Sequence, residues 1–224
     1  MKKPLSHNEP MNFETMVFDY NGTLIDDTDL CHELLNKLLT LRGHPTVSRD
    51  RYLEIFQFPI KSYYVAAGFD FESGKDEFEP LARIFTDDYL ARYPKECKLF
   101  DDVISSLQAI KGKELLVISA TDQQYLDAEL KHYGIWDYLT AAVGIKGIEI
   151  NSKLKEAVSY FSEHPHDMNK VLFVGDTDHD VEVARTVGAK IALVSRGHQS
   201  VHRLQEAKPD FIFSTIEEMV DSLL

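Results

Sequence analysis

The chain has 224 residues, 44% of them hydrophobic and 27% charged, the profile of a globular protein with one large domain or two unequal ones. With 37 acidic residues against 24 basic ones, the formal net charge is −13, which gives no support to nucleic-acid binding and repels anionic ligands at long range. No stretch approaches the roughly 18 apolar residues of a membrane span, and two cysteines, Cys31 and Cys97, make no disulfide framework, so the expectation is a soluble protein of the reducing cytoplasm.

The first apolar run, TMVFDY at 15–20, is nearly continuous, as strands buried on both faces of a parallel sheet are. It ends on Asp19 and passes into a turn with Asn21, Gly22 and Thr23. Residues 28–97 contain no convincing buried strand; their pattern predicts helices over 29–42, 48–56, 61–68 and 75–92. A helical block of that length is too long for one crossover helix and reads as an inserted subdomain, leaving 1–27 and 98–224 as the main domain. The chain then alternates: a helix at 101–111, a strand at 114–120, a helix at 122–133, a weaker strand at 138–144, and a helix at 152–162. A strand at 170–176, a helix at 179–187 stopped by Gly188, a strand at 190–195, a weaker strand at 210–213 and a final helix at 215–223 complete it. Strand–helix alternation of this kind specifies an α/β fold with a doubly wound parallel sheet.

Ligands of such sheets gather beyond the carboxyl ends of the strands, so the strand-end residues are the candidates for function. They are Asp19, Asn21 and Thr23 after the first strand, Ser119, Thr121 and Asp122 after the second, and Asp176, Asp178 and Asp180 in GDTDHD after the third. Singly, each is also a normal turn or helix-cap residue. Lys153 and Lys155 open a helix, where the macrodipole disfavours a cation. Together these groups suit one chemistry. Two adjacent carboxylates, Asp19 and Asp176, repel unless a cation separates them. Oxygen-only ligands suit Mg2+, with the backbone carbonyl of residue 21 completing the set. A carboxylate beside that ion can attack phosphorus, while Ser119 and Lys153 hold the phosphoryl oxygens.

VFDYNGTLIDD, LLVISAT, NSKLKEA and FVGDTDHDVEVARTVGA, in this order, resemble the four motifs of the haloacid dehalogenase-like hydrolases, especially the phosphoglycolate-phosphatase-like branch. The resemblance covers nearly the whole chain; the first and fourth motifs are the specific ones. It implies a Rossmann-like core with a small mobile helical cap at 28–97, and an Mg2+-dependent phosphatase for a small phosphorylated organic substrate. Asp19 would be the nucleophile and, with Asn21 and Asp176, a metal ligand, Asp180 supporting. Thr23, Ser119, Ala120 and Lys153, with Lys155 in reserve, would face the phosphate; Gln57 and Lys61, beside Phe58 and Tyr64, would be contacts from the cap.

Asn21 departs from the pattern, because the family's phosphatases carry their acid–base carboxylate there. An amide cannot deliver a proton as a carboxylic acid does, and general acid–base catalysis is worth roughly 10²–10⁴-fold. Three outcomes follow. The protein is a phosphatase for good leaving groups or uses a substitute acid (Asp122, Asp26 or His179); it runs phosphonatase- or dehalogenase-like chemistry, Lys61 being the Schiff-base candidate; or it binds a phosphorylated ligand with little turnover. The histidines show no metal-binding spacing, although His198 in SRGHQS is placed to line the site. A receiver domain, which also combines Asp, Ser/Thr and Lys, is set aside because the chain has no acidic pair ahead of its acceptor strand. The oligomeric state is not legible in the sequence.

Overall fold

The computed structural model describes residues 12–146 and 153–224. Six strands form one parallel sheet: β1 (Thr15–Phe18), β4 (Glu114–Asp122), β5 (Ala141–Ile145), β6 (Val171–Gly175), β7 (Lys190–Val194) and β8 (Phe211–Phe213). Their order is β5-β4-β1-β6-β7-β8, so the chain builds outward on one side of β1, then crosses to the other. That reversal sets the carboxyl ends of β4, β1 and β6 side by side, and a crevice at such a point is where open α/β sheets bind ligands. Both faces of the sheet are covered. Met16, Phe18, Leu115, Val117, Leu172 and Val174 belong to one buried cluster, whereas Val17, Leu116, Ile118, Val171 and Phe173 belong to the other. This alternation explains why the strands read as unbroken apolar runs.

Helices α5 (Val103–Ala109), α6 (Gln123–His132), α7 (Lys153–Glu163), α8 (Asp178–Val187) and α10 (Ile216–Leu223) follow the expected alternation. The sequence pattern did not anticipate the short α9 (Val201–Glu206). The segment between β1 and β4 holds the expected four helices: α1 (Thr28–Leu41), α2 (Arg49–Ile55), α3 (Ile60–Ala67) and α4 (Phe78–Glu96). They enclose a core of their own, with Leu35, Leu38, Tyr52, Tyr63, Tyr64, Phe69 and Leu81 buried together. Where the chain enters and leaves this block, β2 (Ile25–Asp26) and β3 (Lys98–Leu99) pair antiparallel. This two-residue ribbon clamps the two connections and is too short for any periodicity to reveal.

Candidate active site

The site begins at the end of β1. After Asp19 the chain turns at Gly22, whose φ of +72° is the left-handed conformation that favours glycine. A side chain there would also collide: a Cβ would lie 2.4 Å from Asp176 Oδ2 and 2.6 Å from the His198 ring. The turn therefore packs directly on the end of β6, which brings Asp19, Asp176 and Asp180 together with ligand oxygens within 4.8 Å of one another.

Lys153, the first described residue of α7, is buried among these carboxylates. Its Nζ is 2.8 Å from Asp19 Oδ1 and 2.5 Å from Asp180 Oδ1. Asp180 also accepts from the backbone N–H groups of Asp176 and Thr177 and from the Thr177 hydroxyl. Burial alone would raise its pKa, but Lys153 and these donors hold it below the usual carboxylate value. Asp176 accepts from the Thr23 hydroxyl at 3.0 Å and from the His198 backbone N–H at 2.7 Å. Burial pushes both Asp19 and Asp176 above the ordinary carboxylate pKa, and Asp180 adds to the effect on each. One ammonium thus serves two of the three carboxylates, and Asp176 is met by a hydroxyl and a backbone N–H instead. The donor set is all oxygen, buried and over-negative, which is the chemistry of a hard divalent cation site; the residues present fit Mg2+.

Beside this cluster lies a second polar network. Asn21 Nδ2 donates to Asp27 Oδ2 at 2.8 Å and to the Tyr89 hydroxyl at 3.0 Å, while Asn21 Oδ1 accepts from Thr121 at 2.9 Å. Because a carboxylate only accepts, Asp27 fixes which end of the Asn21 amide faces it. Asp27 also accepts from Tyr89, from the Gly22 N–H and from His198 Nε2 at 3.2 Å. Burial would lower the His198 pKa, but Asp27 and the other carboxylates raise it to about 9. The imidazolium therefore donates from both nitrogens, its Nδ1 reaching the Tyr52 hydroxyl at 2.7 Å. Tyr52 and Tyr89 belong to α2 and α4, so the helical block reaches the site through two phenols. Phe56 stacks on His198 with centroids 4.7 Å apart, and Phe58 lies 4.6 Å from the ring of His179. Gln199 and Arg203 bind the Phe56 carbonyl.

The structure places the residues expected from the sequence in different ways. Asp19, Asn21, Lys153, Asp176 and Asp180 converge. Lys155 is exposed. Thr23 is buried and donates its hydroxyl to Asp176 at 3.0 Å. Ser119 is buried, giving its proton to Thr121 at 3.1 Å, and Ala120 beside it is half-buried. Gln57 is half-buried, while Lys61 is exposed and lies 5.7 Å from the centroid of Phe71; Tyr64 is buried in the core of the helical block. Asp122 caps α6 and Asp26 lies in the β2–β3 ribbon. His179 is buried, with Nδ1 3.0 Å from Glu182, and burial, reinforced by Lys153, lowers its pKa. Missed in the sequence were Asp27, Tyr52 and Tyr89; only the second acidic residue of IDDT carried any signal. Asn151 and Ser152 of the third motif lie outside the described residues.

A doubly wound α/β sheet with a carboxylate–lysine cluster at its switch point defines a Rossmann-like enzyme. The chain belongs to the haloacid dehalogenase-like hydrolase family, whose model matches residues 16–194, and is a hydrolase of the phosphoglycolate-phosphatase-like branch. It is 24% identical over 192 residues to a phosphoglycolate phosphatase of Rhodobacter capsulatus, covering 82% of this chain and 85% of that one. It is 25% identical to an N-acetylmuramic acid 6-phosphate phosphatase of Pseudomonas aeruginosa, covering 84% of each. A solved haloacid dehalogenase-like hydrolase of Streptococcus pneumoniae shares the fold with a TM-score of 0.82 at 19% identity, over 95% of this chain and 99% of that one. Among the described residues, no helix is long and apolar enough to cross a membrane.

Proposed function

We propose that this protein is an Mg2+-dependent phosphatase that hydrolyses a small phosphorylated metabolite through an aspartyl-phosphate on Asp19. The observation that carries this reading is the buried cluster in which Lys153 bridges Asp19 and Asp180 while Asp176 stands alongside. Asp19, Asp176 and the Asn21 carbonyl would hold the ion, which when bound offsets the charge on the phosphoryl oxygens. The Asp19 carboxylate attacks phosphorus, an Asp19–phosphorus bond forms, and the bond from phosphorus to the ester oxygen breaks. Lys153 transfers its contacts to the phosphoryl group and spreads its charge. Water then attacks phosphorus, releasing inorganic phosphate and restoring the carboxylate. Residues 28–97 act as a cap whose closure excludes water from these steps.

Position 21 changes the rate of this sequence rather than its order. Both ends of the Asn21 amide are engaged by Asp27, Tyr89 and Thr121, so no acid stands at that position and the departing alkoxide takes its proton from water. Esters with acidic leaving groups are therefore the preferred substrates, and the same clamp favours a long-lived phospho-enzyme, closer to a phospholigand-binding protein. Lys61, exposed on the Phe71 ring, gives no support to Schiff-base chemistry. The test is phosphate release from p-nitrophenyl phosphate with Mg2+ or EDTA, and mass spectrometry for an adduct of one phosphoryl group. Metal-dependent release with the adduct on Asp19 supports the reading; failure of both sinks it.

A further inference from the structure

His179 follows the acidic GDTD turn and is only 5% exposed. Its Nδ1 lies 3.0 Å from Glu182 Oε2. A carboxylate has no proton to give, so Nδ1 carries the proton and the lone pair of the neutral ring sits on Nε2. That Nε2 is buried and has no hydrogen-bond partner among the described residues. Buried nitrogens of this kind are rare and call for an explanation such as a ligand atom. The ring is roofed by Phe58, brought over from the helical block at 4.6 Å, and belongs to the residue directly before Asp180, whose carboxylate lies 2.5 Å from the Lys153 ammonium. An acceptor and an aromatic face therefore meet at the seam beside the phosphate cluster.

The charges around this seam limit what it accepts. Lys153 is held by Asp19 and Asp180, and Arg203 by Asp178 at 2.5 Å and by the Phe56 carbonyl. Asp176, Asp178 and Asp180 make the neighbourhood negative. A substrate carboxylate placed here would meet repulsion and, among these residues, no unpaired cation.

We propose that His179 Nε2 and the Phe58 ring form the subsite for the organic part of the substrate, and that this part is uncharged and presents a hydroxyl or amide N–H donor. The inference rests on the phosphatase reading and narrows its substrate class to phosphorylated polyols, sugars and their amides, away from phosphorylated carboxylic acids. His179 is here a binding residue.

The test compares competitive inhibition of p-nitrophenyl phosphate hydrolysis by propyl phosphate, glycerol 3-phosphate, glucose 6-phosphate and 2-phosphoglycolate. The native protein should bind the two hydroxylated esters about tenfold more tightly than the other two, the worth of one good hydrogen bond. His179→Leu should abolish that preference, and His179→Asn, whose amide oxygen accepts, should recover part of it. Should His179→Leu fail to fold, Glu182→Ala serves: Glu182 is largely exposed, and its loss frees the tautomer and should shrink the preference at least threefold. Equal affinities in the native protein, tightest binding by 2-phosphoglycolate, or a preference that survives these variants overturns the subsite. If p-nitrophenyl phosphate is neither hydrolysed nor leaves a phosphoryl adduct on Asp19, the phosphatase reading fails on its own. The same four esters titrated calorimetrically then decide the subsite, a preference for hydroxylated esters that is lost in His179→Leu supporting it and no preference overturning it.

Discussion

On the sheet side of the site, one buried ammonium pairs with Asp19 and Asp180 while Asp176 beside them has only the Thr23 hydroxyl and the His198 backbone N–H, and two of the three carboxyls are pushed above their ordinary pKa. On the side facing the helical block, Asp27 alone gathers the Asn21 amide, the Gly22 N–H, the Tyr89 hydroxyl and the His198 imidazolium, and is held below its ordinary pKa. Both carboxylate sets are buried, so burial does not separate them; the count of donors does. The first set keeps an electrostatic deficit that a cation and a phosphoryl group can fill. The second is complete within the protein and acts as structure. Chemistry therefore belongs to the side that the fold leaves unbalanced, and Asn21 lies on the boundary with its side chain drawn to the balanced one.

The comparison breaks most completely at Asp19. Asp19→Asn should lower metal-dependent phosphate release by roughly 10³-fold or more, as loss of a nucleophile does, and should leave no covalent phosphoryl adduct by mass spectrometry. Residual release within tenfold of native would mean that another group attacks phosphorus.

Restoring the missing acid is the next largest effect, and the network decides how. Asn21→Asp alone replaces the amide that Asp27 binds at 2.8 Å with a second carboxylate, so repulsion is expected to destabilise the protein without improving turnover. Asn21→Asp combined with Asp27→Asn reverses the donor and acceptor and preserves the contact. The double variant should raise kcat for an alkyl phosphate by roughly 10–100-fold, within the range for general acid–base catalysis, and raise it less for p-nitrophenyl phosphate, whose leaving group needs little protonation. Steady-state kinetics on both esters checks this; equal gains on the two would argue against a restored proton donor.

The two sides also differ in how they respond to pH. The folded protein holds His198 at about 9 against about 6.5 for an unperturbed histidine. Its contribution is complete below about pH 6.5 and is lost as pH rises toward 9. Asp19 and Asp176, also raised, act in the same direction at lower pH, because their ionisation in the fold is disfavoured until pH nears neutrality. The metal-free melting temperature should therefore fall steadily from pH 5 to pH 9. Mg2+ should flatten the lower half of that slope and leave the upper half, which His198→Gln should make shallower, the remainder belonging to Glu129, whose carboxyl burial pushes up to about 8. A melting temperature that rises with pH in EDTA would contradict the assignment of both sides.

The sheet side was legible in the sequence because each of its groups ends a strand or opens a helix, at spacings set by local structure. β1, β4 and β6 are continuous apolar runs, so Asp19, Ser119 and Asp176 were marked as neighbours by topology alone. Lys153 was marked by sitting where the helix dipole disfavours it. The balanced side was not legible. Tyr52 lies 146 residues from His198, and Tyr89 lies 62 from Asp27; nothing in a helical period distinguishes a tyrosine that fills the core from one whose hydroxyl crosses to another layer. Thr23 shows the converse limit. The family resemblance implies a phosphate contact for it, and nothing in the sequence shows that the close packing allowed by Gly22 and Gly197 also brings its hydroxyl to Asp176.

The smallest effect separates the two phenols that tie the helical block to the site. Tyr52→Phe removes one acceptor from the His198 imidazolium but leaves the ion pair with Asp27 and the stacking on Phe56. Its expected cost is about 1 kcal/mol, a drop of roughly 2–4 °C in melting temperature for a chain of this size, with kcat little changed. Tyr89→Phe costs a similar amount in stability, but it also takes an acceptor from the Asn21 Nδ2 and a donor from Asp27. Freed on that side, the Asn21 amide can turn toward the phosphoryl site, so Tyr89→Phe should change kcat where Tyr52→Phe does not. Thermal melts and kinetics on the two variants side by side make the check. Equal kinetic effects would mean that the phenols act only by holding the block closed, and the division of the site into a reactive side and a structural side would then have to be drawn between Asn21 and Thr121 rather than at Asn21 itself.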